Sequence, residues 1–131
     1  MARLPFPAAD LAACRTTADE ARDPPTADLM RFYCGQHWDV AKITARIAEA
    51  GAWGQRHHVA VIAGEFGAAQ QLNVSARLAW LTAVRAACER QAIGWALWGY
   101  DDSMGFALRP PSDRRRIDPA VLGALGLESL K

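Results

Sequence analysis

The chain has 131 residues, a formal net charge of +1 and 51% hydrophobic residues. This length leaves room for one domain with a real hydrophobic core. The scattered, nearly balanced charge argues against a nucleic-acid-binding or membrane-surface protein. No run is apolar and long enough for a signal peptide or a membrane span, so the chain as written would stay in the cytoplasm.

The cysteine and histidine patterns predict no cofactor and no metal. Cys14, Cys34 and Cys88 are an odd number of cysteines without a close pair, which fits neither a disulfide framework nor a zinc site. We therefore predict that Cys34 and Cys88 are small core residues. The three histidines lack metal-site spacing.

Sequence patterns in residues 1–56 predict three helices. Residues 1–25 contain four of the seven prolines, and we interpret them as an extended lead with room for a short helix at 10–21. Thr26 can cap a short helix that ends at Gly35. A longer helix is predicted at 38–56, because apolar residues recur there at three- and four-residue spacing. Its apolar face should lie on a sheet.

An apolar, β-branched run at 58–64 predicts a strand, and it ends in Glu65 between Gly64 and Gly67. Its composition is typical of a strand covered on both faces in a parallel sheet. Chemistry in such sheets lies beyond the carboxyl ends of the strands, where Glu65 falls. A polar turn that simply ends the strand is the alternative interpretation.

Two further helices follow. Asn73 or Ser75 caps a helix that runs to about residue 91, and Arg77 falls largely off its apolar stripe. Asp118-Pro119 opens a final helix, with proline at its first position.

A second apolar run at 93–98 predicts another buried strand, which leads into a polar loop containing Tyr100 and Asp101. A helix between two strands makes a βαβ unit, so the strands should be parallel and their polar ends should share one edge. That edge would bring Glu65 near Trp98, Tyr100 and Asp101. A carboxylate facing aromatic surfaces would suit sugars.

These motifs resemble a known family. Gly64-Glu65-Phe66-Gly67, a helix, and then Gly94-Trp95-Ala96-Leu97-Trp98 resemble the last two strands of glycoside hydrolase family 5, the cellulase family. Leu4-Pro5-Phe6-Pro7 resembles the segment after the sixth strand in bacterial members, and Gln36-His37-Trp38-Asp39 with the helix to Trp53 resembles their sixth helix. The resemblance implies an α/β fold that is a partial (β/α)₈ TIM barrel. Residues 1–131 would be a C-terminal fragment of the catalytic domain, with 1–25 as the lead and 26–131 as the last β/α units.

The family's implied chemistry is retaining hydrolysis of β-linked glucans or mannans with two glutamates. By resemblance, Glu65 would be the nucleophile and Trp98 the platform under a bound sugar. Tyr100 and Asp101 would contact sugar hydroxyls. The implied partner is a β-linked oligo- or polysaccharide, and full-length members are often exported. A core aromatic residue remains the alternative interpretation of Trp98.

Departures from the family pattern indicate an incomplete chain. Such barrels have eight strands and need about 250 residues, whereas this sequence has 131 residues and two clear strands. The family's acid/base glutamate, which follows an asparagine, has no counterpart. Asp101 and Asp102 are predicted on the loop after the neighbouring strand and could approach Glu65, but the family's acid/base should face the nucleophile across the barrel. We therefore expect little activity from this chain alone, and either self-association or a missing N-terminal barrel portion.

Two alternatives stay open at this point. The chain could be a catalytically inactive remnant or a carbohydrate- or protein-interaction module. It could also be a complete small α/β domain that only imitates the family, which predicts a monomer with cooperative unfolding.

Overall fold

The computed structural model describes residues 4–8, 10–70, 73–101, 105–106, 108 and 117–127. Within these ranges the chain forms five helices and two strands. In chain order these are α1 (Leu11–Asp19), α2 (Pro24–Gly35), α3 (Val40–His57), β1 (Ile62–Phe66), α4 (Val74–Arg90), β2 (Gly94–Leu97) and α5 (Pro119–Ala124). None of the helices in this part of the chain has the length and apolar character needed to cross a membrane.

Every helix begins after a side chain that caps it. The oxygens of Asp10, Asp23, Asp39, Asn73 and Asp118 each accept a hydrogen bond from a backbone N–H of the first turn. The predicted caps of α4 and α5 are confirmed. The predicted cap of α2 was wrong: the helix begins at Pro24, and Thr26 supplies the N–H that Asp23 accepts. Proline at the first positions of a helix loses no intrahelical hydrogen bond there, so α2 begins earlier than Thr26.

The two strands pair in parallel, as the βαβ interpretation predicted. Ile62 pairs with Gly94, and Ala63 pairs with Trp95. The strand bounds differ from the prediction, because β1 covers 62–66 rather than 58–64 and β2 covers 94–97 of the predicted 93–98. Glu65 therefore lies within β1, one residue before its end.

One face of this sheet is packed and the other is exposed. The packed face and the helices share the main core, around the fully buried Leu81 and Val121. On the other face Ile62 is 71% exposed, and Gly64 and Ala96 are exposed as well. The expectation of strands covered on both faces was wrong, because no described element lies over this second face.

Helices α1 and α2 form a hairpin that a disulfide joins. Cys14 and Cys34 are bonded, with their Cα atoms 5.8 Å apart, and both side chains are fully buried in a small second core. The sequence prediction of no disulfide was wrong. The two cysteines are 20 residues apart in the sequence, and their pairing becomes visible only when α1 and α2 are folded against each other. Cys88 is a buried free thiol, as predicted.

Candidate active site

An irregularity in β1 determines where Glu65 lies. Ala63 pairs with Trp95 and Phe66 pairs with Leu97, so β1 uses one residue more than β2 over this stretch. In a regular strand, residues three apart face opposite sides of the sheet. The extra residue lets Ala63 and Phe66 both join the main core, while Gly64 and Glu65 are exposed. The candidate nucleophile is therefore accessible to solvent at the end of a packed strand.

Gly67 allows the two strand ends to meet. The backbone N–H of Trp98 donates to the carbonyl oxygen of Phe66 over 2.8 Å. A Cβ atom at Gly67 would overlap the carbonyl oxygen of Trp98, so only glycine fits this approach. A second link joins the following loops, where the N–H of Gln70 donates to the carbonyl oxygen of Gly105 over 2.7 Å. The prediction that both polar strand ends lie at one edge is confirmed.

Trp95 in β2 and Trp98, just after β2, differ in their burial. Trp95 is half-buried and packs edge-on against Phe66, with ring centroids 5.8 Å apart. Trp98 is 40% exposed, and the peptide bond that follows it is cis. Tyr100 and Asp101 are exposed on the next turn of chain. The core position thus belongs to Trp95, which leaves the Trp98 ring accessible beside the strand that carries Glu65.

Arg77 is a positioning residue that the sequence interpretation missed. Although it falls off the apolar stripe of α4, it is only 8% exposed. Its Nε–H donates to the carbonyl oxygen of Ala68 over 3.0 Å, which ties α4 to the loop after Glu65. Burial lowers the pKa of Arg77, and the nearby Asp118 opposes that shift. Because Arg77 falls off the apolar stripe in the sequence, the helical pattern carries no signal for this buried contact.

An apolar cavity of about 460 Å³ lies at the same edge of the sheet. Its walls come from the segment before α1, from α2, from the loop after β1 and from α4. Aromatic rings form much of the lining: Phe6, Phe32, Tyr33, Trp38, Trp80 and Phe106. The α1–α2 hairpin is therefore a neighbour of the loop that follows Glu65.

Arg46 lines a cavity of about 490 Å³ together with Glu65. In the part of the chain that the structure describes, no hydrogen bond or ion pair engages the Glu65 carboxylate. Asp102, the other acid considered from the sequence, lies outside the described residues. Across the same described ranges, no three His, Cys, Asp or Glu residues are close enough to hold a metal ion.

The chain is similar to endoglucanases in part of its sequence and in its fold. No family model matches the chain. Endoglucanase 3 of Fibrobacter succinogenes is 39% identical over 59 residues, which is 44% of this chain and 9% of the relative. A hyperthermophilic endo-β-1,4-glucanase, solved in complex with substrate, matches with a TM-score of 0.59 and 28% identity, over 66% of this chain and 27% of that protein.

Thermotoga maritima Cel5A, solved with cellobiose and with mannotriose, matches with a TM-score of 0.57 and 21% identity, over 66% of this chain and 27% of that protein. The resemblance to glycoside hydrolase family 5 is confirmed. The chain spans only part of these relatives, 27% of the glucanase and 9% of the Fibrobacter protein. At 21% identity the Thermotoga enzyme supports the fold alone, and the helices and two-stranded parallel sheet of this chain are consistent with a partial α/β fold.

Proposed function

We propose that this chain is the C-terminal part of the catalytic barrel of a retaining glycoside hydrolase. The whole enzyme would cleave O-glycosyl bonds in a β-linked polysaccharide, as an endoglucanase does. The observation that carries the proposal is the exposed Glu65 at the irregular end of β1, with the accessible Trp98 ring at the end of the neighbouring strand. The endoglucanase relatives support the same reaction class.

Glu65 acts as the nucleophile in this mechanism. A carboxylate oxygen attacks the anomeric carbon as the bond to the leaving oxygen breaks, which forms a glycosyl ester on Glu65. Water then gives a proton to the acid/base residue and attacks the same carbon, and the ester bond breaks. The sugar leaves with its original anomeric configuration, and the Glu65 carboxylate is restored. Solvent exposure leaves the Glu65 carboxylate accessible to a sugar.

The proton donor comes from a part of the barrel outside these 131 residues. The family's acid/base glutamate follows an asparagine, and the single asparagine here, Asn73, is followed by Val74. A retaining site holds its two carboxyl groups about 5–5.5 Å apart, so the donor must be placed across from Glu65. The chain alone should therefore have no turnover.

Trp98 forms the platform for the sugar. An exposed aromatic ring offers apolar surface to the C–H face of a pyranose, while Tyr100 and Asp101 offer hydrogen-bonding groups for its hydroxyls. The endo-β-1,4-glucanase that is 28% identical to this chain has been solved in complex with substrate. We therefore place β-linked glucans first among the candidate substrates.

The test is a completed barrel, in which this chain replaces the matched segment of the hyperthermophilic endo-β-1,4-glucanase. We expect release of reducing sugar from carboxymethyl-cellulose, and loss of that activity to background in Glu65→Gln. The matched control is Glu49→Gln, an exposed carboxylate on α3 that pairs with Arg46 over 3.2 Å, which should keep full activity. Equal activity in both variants would refute the role of Glu65.

The same completed protein separates an enzyme from an inactive carbohydrate-binding module. Trp98→Ala should weaken both turnover and binding of cello-oligosaccharides, whereas Trp53→Ala, at a 50% exposed ring on α3, should change neither. A completed barrel that binds cello-oligosaccharides through Trp98 without any turnover would favour the inactive module.

A further inference from the structure

Arg77 is the only charged residue that is buried in the part of the chain that the structure describes, at 8% exposed. A buried guanidinium is costly unless hydrogen bonds hold it in place. The Nε–H of Arg77 donates to the carbonyl oxygen of Ala68, a residue that is itself buried. An apolar side chain of similar length would fill the space but would leave that carbonyl oxygen without this donor. The loop after β1 therefore gives a physical reason for arginine at this position.

Ala68 lies midway between two hydrogen bonds that join the loop after β1 to the loop after β2. On one side the N–H of Trp98 donates to the carbonyl oxygen of Phe66 over 2.8 Å. On the other side the N–H of Gln70 donates to the carbonyl oxygen of Gly105 over 2.7 Å. Because each of these bonds is only two residues from Ala68, a displaced Ala68 carbonyl would loosen both.

A second path leads from the loop after β2 back to the same arginine. The N–H of Leu108 donates to the carbonyl oxygen of Gly99 over 3.1 Å, and the N–H of Asp118 donates to the carbonyl oxygen of Leu108 over 3.0 Å. Burial lowers the pKa of Arg77, and the charge of Asp118 opposes that shift, so the two side chains attract each other. Both loops are therefore linked to Arg77, one directly and one through Asp118.

We propose that Arg77 is a positioning residue that holds the loop after Glu65 against the loop after Trp98. It acts through the backbone of Ala68 rather than on the sugar, and Asp118 supports it by charge attraction. It thereby sets where the candidate nucleophile lies relative to the candidate platform. The catalytic importance of that placement rests on the proposed function, since a small misplacement of a reacting group can lower a rate about 100-fold.

The first test is amide hydrogen exchange, followed by NMR on this chain with Arg77→Met. Methionine keeps most of the apolar length of the arginine side chain and removes the donor. We expect protection of the Trp98 and Gln70 amides to fall about tenfold, because loss of the hydrogen bond to Ala68 loosens both of their hydrogen bonds.

Two further variants separate this contact from general destabilisation. Arg90→Met removes an exposed arginine of α4 that bonds the Thr44 hydroxyl over 2.9 Å, and it should leave both amides protected. Asp118→Asn keeps the cap of α5, because asparagine also accepts from the first turn, but it removes the charge that attracts Arg77. It should lower the protection about two- to fivefold. This variant decides the question if Arg77→Met does not fold.

The second test uses the completed barrel with an activated 2-deoxy-2-fluoro-cellobioside, whose glycosyl ester hydrolyses slowly. Arg77→Met should slow the labelling of Glu65 about 10- to 100-fold, while the same final fraction of the protein becomes labelled. A merely structural role would lower the fraction that folds and reacts, and would leave the rate constant of labelling unchanged. Arg90→Met should change neither quantity.

The possible outcomes separate this inference from the proposed function. Loss of protection and slower labelling in Arg77→Met, but not in Arg90→Met, would support the positioning role. Equal protection in Arg77→Met and the unmodified chain, equal losses in Arg77→Met and Arg90→Met, or lower protection with an unchanged rate of labelling would overturn it. If the unmodified completed barrel neither hydrolyses carboxymethyl-cellulose nor labels Glu65, the proposed function fails, and the amide protection alone decides whether Arg77 holds the two loops together.

Discussion

Substitution of Gly67 by alanine should destabilise the fold at the edge that carries the candidate site. A Cβ atom there would overlap the carbonyl oxygen of Trp98 and would come within 3.3 Å of the Phe106 ring. The Trp98 carbonyl belongs to the backbone, and the hydrogen bond from Trp98 to Phe66 fixes its distance from β1. The clash can be relieved only if the two strand ends move apart.

The expected magnitude follows from the nature of this contact. Overpacking of a tight site costs about 1–3 kcal/mol, so Gly67→Ala should lower the free energy of unfolding by about that amount. Gly64→Ala is the matched control, because a Cβ atom at Gly64 meets nothing within 4 Å. It should leave the free energy of unfolding unchanged or raise it by about 0.4–1 kcal/mol, since alanine restricts the unfolded chain.

Urea unfolding followed by tryptophan fluorescence measures both variants in the same chain. Five tryptophans provide the signal, and Trp95 lies beside the perturbed edge. If Gly67→Ala and Gly64→Ala have the same free energy of unfolding within about 0.5 kcal/mol, the close approach of the two strand ends is not a real constraint. That result would refute the reasoning about this edge.

Three other predictions concern the helices and the thiols. Cys14→Ser with Cys34→Ser, or reduction of the disulfide, should lower the free energy of unfolding by about 3 kcal/mol, because the bond closes a separation of 20 residues; urea unfolding with and without reductant measures this, and an unchanged midpoint would contradict it. Asp39→Ala removes the cap of α3, whose oxygen accepts from the Lys42 N–H over 2.7 Å, and should cost about 1 kcal/mol, whereas an exposed α3 variant, Glu49→Ala, should cost much less; equal thermal midpoints would argue against the cap. Burial raises the pKa of the Cys88 thiol, so this group stays protonated as the pH rises through its ordinary range, and Ellman's reagent should react with it only after unfolding; rapid reaction of the native chain would contradict its burial.

Local sequence patterns predicted most of the architecture. The spacing of apolar residues located α3 and α4, and capping residues located the starts of α4 and α5. The order of strand, helix and strand predicted the parallel pair, since the handedness of such crossovers leaves few alternatives. Because these features depend on residues close in sequence or on one topological rule, they can be predicted without a structure.

The features that the sequence did not predict depend on contacts between residues that are distant in the sequence. The Cys14–Cys34 bond requires the α1–α2 hairpin, and the buried position of Arg77 requires the loop at Ala68. The extra residue in β1, which exposes Gly64 and Glu65 together, appears only when the register with β2 is known. The composition of β1 and β2 is that of buried strands, although no described element covers their second face and Ile62 is 71% exposed there.

The central claim is that Glu65 is the nucleophile of a retaining glycosidase. The most direct measurement uses the completed barrel with an activated 2-deoxy-2-fluoro-cellobioside, whose glycosyl ester hydrolyses slowly, followed by mass spectrometry of the digested protein. We predict that the peptide containing Glu65 gains the mass of one fluorinated cellobiosyl group, and that Glu65→Gln abolishes this label. A label on another carboxylate, in a protein that hydrolyses carboxymethyl-cellulose, would contradict the claim.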